Sequence, residues 1–294
     1  MKAQPSVLFD APGPKARRNI MISNLVTLAA VTALVILVLM KLNEQNQLNP
    51  NLWLRAIDAN AWTNYYLPGL QFTLQASGIA VITSLAFGLL FGFLRLAPFG
   101  PIRWFASVVV EFFRAVPVLV MMVFLYFFFA RVVAGNGAMS PQDAPYYAVI
   151  VGLTLYNGAV IAELVRSGVK SLPKGQREAA AAIGMTSNQS LRLVEVPQAL
   201  TAMLPSLLSQ FVVIIKDSAL GYLIGFYELL QYSRQLGSGQ GNMLQSLIVA
   251  ALVFIVINFI LTWVATRLSR RLSSRTSGET APATPATTGA VKTA

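Results

Sequence analysis

Residues 164–200 read LVRSGVKSLPKGQREAAAAIGMTSNQSLRLVEVPQAL, between two apolar stretches, and this is more than a simple connection. Pro173 and Gly175 punctuate its start, one by fixing φ and the other by freeing it. Residues 176–183 are good helix formers, and Glu178 lies near the positive N-terminal end of that helix, where a carboxylate is favoured. Gly184 falls where a left-handed residue stops a helix. Thr186 or Ser187 can cap the next one, and Pro197 marks the return to apolar sequence. The expectation is two short helices joined at a sharp corner. The four alanines at 179–182 make the first helix smooth and compact, suited to seating in a groove on another protein.

Outward from this loop the chain is apolar on both sides. Residues 144–162 and 196–215 carry no charge, and neither do 19–40, 59–94 and 235–266; a further stretch, 104–130, is interrupted by Glu111 and Arg114. A bilayer core about 30 Å thick needs roughly 20 apolar residues of helix. The sequence therefore predicts an all-α integral membrane protein with about six transmembrane helices, the second starting at Pro68 and Gly69. The runs are continuous rather than alternating, which argues against a transmembrane β-barrel. The stretch 19–40 is too long for a signal-peptide core and has no small-residue cleavage site before Lys41, so it is expected to be a retained anchor.

Composition agrees: 55% of the 294 residues are apolar and 11% are charged, against about 25% charged in a soluble domain. With no Cys and no His, disulfides, thiolate chemistry, histidine metal ligation and histidine proton relays are excluded. The charge is lopsided, 22 Lys plus Arg against 11 Asp plus Glu, or +11. In a membrane chain this points to basic cytoplasmic loops rather than to nucleic acid. Placing both termini in the cytoplasm puts 16 of the 22 basic residues inside. Lys41, Arg55, Arg131 and Arg234 fall outside, while Arg114 and Lys216 lie within spans.

The termini read as accessories. Residues 1–18 form a basic tail whose Lys15, Arg17 and Arg18 suit anionic headgroups, and 269–294, rich in Thr, Ala, Pro and Gly, is expected to be disordered. An external loop, 42–66, carries Trp53, Trp62, Tyr65 and Tyr66, read as an interfacial aromatic belt. The run FLYFFF at 124–129 reads as a lipid or helix contact, and Gly78, Gly88 and Gly92 as close helix packing.

Glu178-Ala179-Ala180, then Gly184, then Val194-x-Val196-Pro197 resembles the EAA loop of ABC importer permeases. The family pattern is E-A-A, three residues, Gly, nine residues, Ile-x-Leu-Pro. The spacing is the same throughout, with Val194 for Ile and Val196 for Leu. Tyr156-Asn157-Gly158, Ala162-Glu163-Leu164-Val165-Arg166 and Pro173-Lys174-Gly175-Gln176 look like the polar amino acid branch. Phe113-Arg114-Ala115-Val116-Pro117 and Lys216-Asp217-Ser218-Ala219-Leu220 resemble that branch's Phe-Arg-Gly-Thr-Pro and Lys-Asp-Thr-Ser-Leu blocks, departing at Ala115, Val116, Ser218 and Ala219. The resemblance spans about 67–268 and in detail is similar to glutamate-import permeases.

The resemblance implies a type I importer core of five helices at 67–268, preceded by an extra helix at 19–41. The helix bearing Gln176, Arg177, Glu178, Ala179 and Ala180, closed by Gly184, would couple to a separate ABC ATPase dimer that binds ATP and Mg²⁺. A second permease subunit, identical or homologous, and an external solute-binding protein would complete the system in the bacterial cytoplasmic membrane, among its lipids. The chain itself would bind no cofactor. It has no G-x-x-x-x-G-K-[S/T] and no Gly-Lys pair; the glycines of LGSGQGN at 236–242 lack a following Lys.

Ionisable residues inside a membrane are costly and are functional-site candidates. Glu111 with Arg114, and Glu163 with Arg166, are each three apart on a helix and can pair. Lys216 and Asp217 are adjacent, so their side chains diverge, and the span is expected to end there against an external gate helix at about 219–230, closing near Glu228. A free amino acid needs both charges met. Lys216 or Arg114 can hold its carboxylate, and Glu163 or Asp217 its ammonium, with Asn157, Gln210 and Ser218 adding neutral hydrogen bonds. A purely structural network of the same residues stays open, as does an ion-gradient-driven secondary transporter of small polar solutes. Against the latter, six spans without an internal repeat are unlike the doubled halves of many such folds.

Overall fold

The computed structural model describes residues 13–276; the expectations for 1–12 and for 277–294 lie outside the described residues. α1 (Pro14–Glu44) starts with Pro14 in its first turn, where a missing N–H costs nothing. It takes in Lys15, Arg17 and Arg18, so that part of the basic tail is helical. None of its residues is buried.

From Pro50 to Leu94 the chain is nearly continuous helix, so most of the expected loop at 42–66 is helical. The long α-helix begins at Leu67 with Pro68 in its first turn, close to the expected start. Asn49 caps α2 (Pro50–Ala56) by accepting from the Asn51 amide at 3.0 Å. Asp58 caps α3 (Ala59–Ala61) by accepting from the Ala61 amide at 2.7 Å. A π turn, Trp62–Tyr66, then leads into α4 (Leu67–Leu94). Pro68 removes one amide donor, and the wider π turn before it lets the helix run on.

The third apolar stretch does break. α5 (Gly100–Ala115) ends at Val116, which is extended, because the residue before a proline is pushed out of the helical region. α6 (Val118–Phe127) follows Pro117, with a π turn over Phe128–Val133, and the two segments are bent by 96°. Among the described residues, five helical stretches are thus long and apolar enough to cross a membrane, or six if this bent pair is one span.

α7 (Ala144–Lys170) leads to the loop, which folds as α8 (Lys174–Ala182), α9 (Ser187–Ser190) and a π turn, Leu191–Glu195. α10 (Val196–Asp217) returns across the molecule and passes into a 3₁₀ segment, Ser218–Ile224. The span therefore ends at Asp217 as expected, but the helix after it is a short 3₁₀ segment that stops at Gly225 rather than near Glu228. Gly225 is left-handed, at φ +82°, and Glu228 instead opens α11 (Leu229–Gln240). α12 (Met243–Thr276) continues past 269, so residues 269–276 are helical rather than part of the expected disordered tail. Of the glycines of LGSGQGN, Gly237 and Gly239 lie in the last turns of α11 and Gly241, at φ +68°, closes it. A helix C-terminus presents carbonyls, the wrong polarity for a phosphate.

α4 and α7 form the central pair. α4 buries Gly69, Thr73, Ala76, Ser77, Ala80, Ser84, Gly88 and Gly92. A Cβ on Gly88 would lie 2.4 Å from Ile161 Cγ2, and one on Gly92 2.7 Å from Val165 Cβ. Gly78 is different: a Cβ there meets nothing within 4 Å, so the close-packing expectation does not extend to it. On the FLYFFF run, Phe124, Phe127 and Phe128 face outward, whereas Leu125, Tyr126 and Phe129 pack on the core.

A second apolar cluster joins Ala56, Ala61, Tyr66, Leu229, Leu236, Val249 and Ala250, with Trp62 and Tyr65 against it. Tyr66 is fully buried and its hydroxyl donates to the Ala56 carbonyl at 2.9 Å. These three aromatics are therefore core rather than a belt. Buried Gln245 donates to the Gln47 carbonyl at 2.6 Å and Asn242 to the Leu52 carbonyl at 3.2 Å, which straps the 45–56 segment to α12.

Candidate functional site

The loop at 172–195 forms one end of the molecule. α8 stops as its sequence directs: the Gly184 amide donates to Ala181 O and the Met185 amide to Ala180 O, both at 3.0 Å, with Gly184 at φ +82°. That double bond around a left-handed glycine is a Schellman stop. Thr186 and Gln189 then form a reciprocal capping box at the head of α9. Glu178, Ala179 and Gly184 are exposed and Ala180 is buried. Ile183 and Leu193 stand out as apolar side chains on this end, 75% and 67% exposed.

Gln176 and Arg177 are exposed as well, and both also make contacts within the chain. Gln176 accepts from Gln198 at 3.2 Å. Arg177 turns back to Glu195 and donates through Nη2 at 2.6 Å and Nε at 3.2 Å. The hydrogen bond to that carboxylate, and its charge, raise the Arg177 guanidinium above its ordinary value.

The second feature is an ionic cluster where α4, α5 and α7 converge. Arg95, directly after α4 and only 7% exposed, donates to Glu163 at 2.6 Å and to Glu111 at 2.9 Å. Arg166 forks onto Glu163, donating at 3.1 Å through Nε and at 2.5 Å through Nη2. Arg114 lies 3.5 Å from both carboxylates. Both sequence-predicted pairs exist, yet Glu111 is held more closely by Arg95 than by Arg114. Three guanidiniums meet two carboxylates, leaving one positive charge in excess. Beside them Glu111, Arg114, Tyr156, Val160 and Glu163 line a cleft of about 440 Å³.

Along α7, Asn157 lies six residues from Glu163, about 9 Å of helix. It is fully buried, and its Oδ1 accepts from Gln210 of α10 at 2.6 Å. Lys216, Asp217 and Ser218 sit apart at the far end of α10. Ser218 is buried and donates to Ile215 O at 2.7 Å. Lys216 faces a groove between α10 and α12 lined by Pro205, Ser209, Thr262 and Thr266. Among the described residues neither Lys216 nor Asp217 is in an ion pair. The seven expected pathway residues thus fall in three places, not one.

Arg95 and Glu195 were missed by sequence reading. Arg95 ends an apolar stretch and was counted as a loop cation. Glu195 occupies the unspecified position in Val194-x-Val196-Pro197.

Residues 84–274 match the family described as the binding-protein-dependent transport system inner membrane component. The chain belongs to this family. Among curated relatives of this permease subunit, the glutamate transport system permease protein GluD of Corynebacterium glutamicum is 47% identical over 215 residues, 73% of this chain and 77% of the relative. The glutamate/aspartate import permease protein GltK of Escherichia coli is 31% identical over 193 residues, 65% of this chain and 86% of the relative. Among solved structures, that of an amino acid ABC transporter with histidines superposes with a TM-score of 0.64 at 28% identity, covering 72% of this chain and 95% of the other. This ABC permease subunit is a multi-pass membrane component, and ATP hydrolysis belongs to a separate partner rather than to this chain.

Proposed function

We propose that this permease subunit imports a polar amino acid, glutamate, across the bacterial cytoplasmic membrane by alternating access. The observation that carries the coupling part is the exposed, sharply stopped α8 with the EAA spacing on it. α8 docks in a partner ATPase dimer, which holds ATP and Mg²⁺, and both termini share its cytoplasmic side. A second permease subunit forms the other half of the pathway, and an external solute-binding protein delivers the solute. Closure of the ATPase dimer carries α8 with it and switches the permease between two packings.

Glutamate is favoured by the two relatives named for it and by the excess positive charge of the α4–α5–α7 cluster. On this reading Arg114 meets a solute carboxylate and Glu163 the ammonium. The Asn157–Gln210 pair offers neutral hydrogen bonds further along, and Lys216 lines a groove toward the opposite end.

The test is reconstitution in proteoliposomes with the partner ATPase and binding protein. Expected is glutamate uptake that requires ATP, competes poorly with histidine, and falls about tenfold or more in Glu163→Gln while the ATPase still co-purifies. Uptake driven by an ion gradient without the ATPase refutes the coupling, and indifference to unlabelled glutamate refutes the solute.

A further inference from the structure

We propose that Arg177 and Glu195 form a strut that ties the docking helix α8 to the foot of α10, so that the two move as one body. The inference rests on the reading of α8 as the ATPase-docking helix. α8 has little else to hold it in place: its only buried residue is Ala180. Its covalent route to α10 runs through the Gly184 corner, α9 and a π turn, three places where helical direction changes.

Glu195 is built as an anchor. It is 3% exposed, and both of its oxygens are used. Oε2 accepts from Arg177 Nη2 at 2.6 Å, while Oε1 accepts from Arg177 Nε at 3.2 Å and from Ser190 Oγ at 2.9 Å. A two-point guanidinium–carboxylate fork fixes orientation as well as distance. The Gln176–Gln198 hydrogen bond at 3.2 Å adds a second link between the same two elements.

The geometry gives the strut a reach. α10 begins at Val196, the residue after Glu195, and its 22 residues extend about 33 Å to the 3₁₀ segment Ser218–Ile224 at the opposite end. A displacement of α8 reaches that segment only if the joint at the foot of α10 is stiff. Arg177 and Glu195 touch no solute; they are positioning residues for the coupling.

The chain has no cysteine of its own, which permits a reversible test in the reconstituted complex. Glu195→Gln and Glu195→Ala, both outside the docking helix, are expected to keep the ATPase bound and hydrolysing while solute moved per ATP falls about fivefold. In Arg177→Cys/Glu195→Cys, bridging the thiols with a short bis-methanethiosulfonate should restore that ratio, and reduction should abolish the gain. Unchanged ratios in both single variants overturn the strut. So does a loss, of coupling or of assembly, that the bridge does not repair. Uptake by the unaltered chain without the ATPase overturns the docking reading itself, and is seen before any variant is made.

Discussion

Glu228 is fully buried at the head of α11, where it accepts from the Leu230 amide at 2.8 Å and the Gln231 amide at 2.7 Å. Burial pushes its carboxyl up from 4.5 to about 7, against the pull of those two amides. The folded protein therefore binds this proton more tightly than the unfolded chain does. Its contribution to stability is full below pH 4.5, declines as the pH climbs to about 7, and is flat beyond. The loss amounts to about 3 kcal/mol at most. Thermal unfolding followed from pH 5 to 8 should show this slope, and Glu228→Gln should remove it; equal slopes in both proteins would refute the assignment. Arg95 makes the opposite kind of site, a buried cation that meets two carboxylates through Nη1 and Nη2 while its Nε has no partner. Arg95→Met leaves Glu111 with Arg114 alone, at 3.5 Å, and Glu163 with Arg166 and Arg114, and should cost about 1–3 kcal/mol in unfolding free energy. Gly184 and the Thr186 cap were legible in the sequence because stops and caps are written locally. Arg95 and Glu195 were not, since their partners lie 68 and 18 residues away.

Among the elements, the α4–α7 pair shows how a uniform run of sequence hides its packing face. Gly78, Gly88 and Gly92 look equivalent when read along the chain, but only the latter two meet α7. Gly88→Ala forces a methyl against Ile161 and the Gly158 carbonyl and should destabilise by about 1–3 kcal/mol. Gly78→Ala meets open space and should stabilise by up to about 1 kcal/mol through helix propensity. Denaturant melts of the two variants should move in opposite directions, and a shared direction would mean the helix faces are misassigned. The break at Val116 and Pro117 was foreseeable from the proline, but the 96° turn was not, because length and apolarity alone do not distinguish one straight span from two bent segments. The 42–66 segment was misread for a related reason. Its polar start looked like solvent-facing loop, whereas Tyr66 Oη, Asn242 Nδ2 and Gln245 Nε2 donate to its backbone carbonyls.

At the scale of the whole molecule, fold class and the run of helices were visible because the bilayer demands long apolar helices. The grouping of the charges was not, since it depends on which helices become neighbours. The bundle is held by α4, α7, α10 and α12, and α1 has no buried residue of its own. Deleting residues 1–44 should therefore leave the thermal stability of the purified chain within about 2 °C, provided the Gln47–Gln245 strap is kept. A larger drop would mean that α1 packs on the bundle.

The even exposure of α1 has one more consequence. From Ile20 to Met40, large apolar side chains point in every direction, with none singled out by burial. Nothing marks one azimuth over another, so the helix is interchangeable within this chain. An unrelated apolar helix of equal length should be tolerated when spliced in ahead of residue 45, and a reporter attached there rides on a helix none of whose residues is buried.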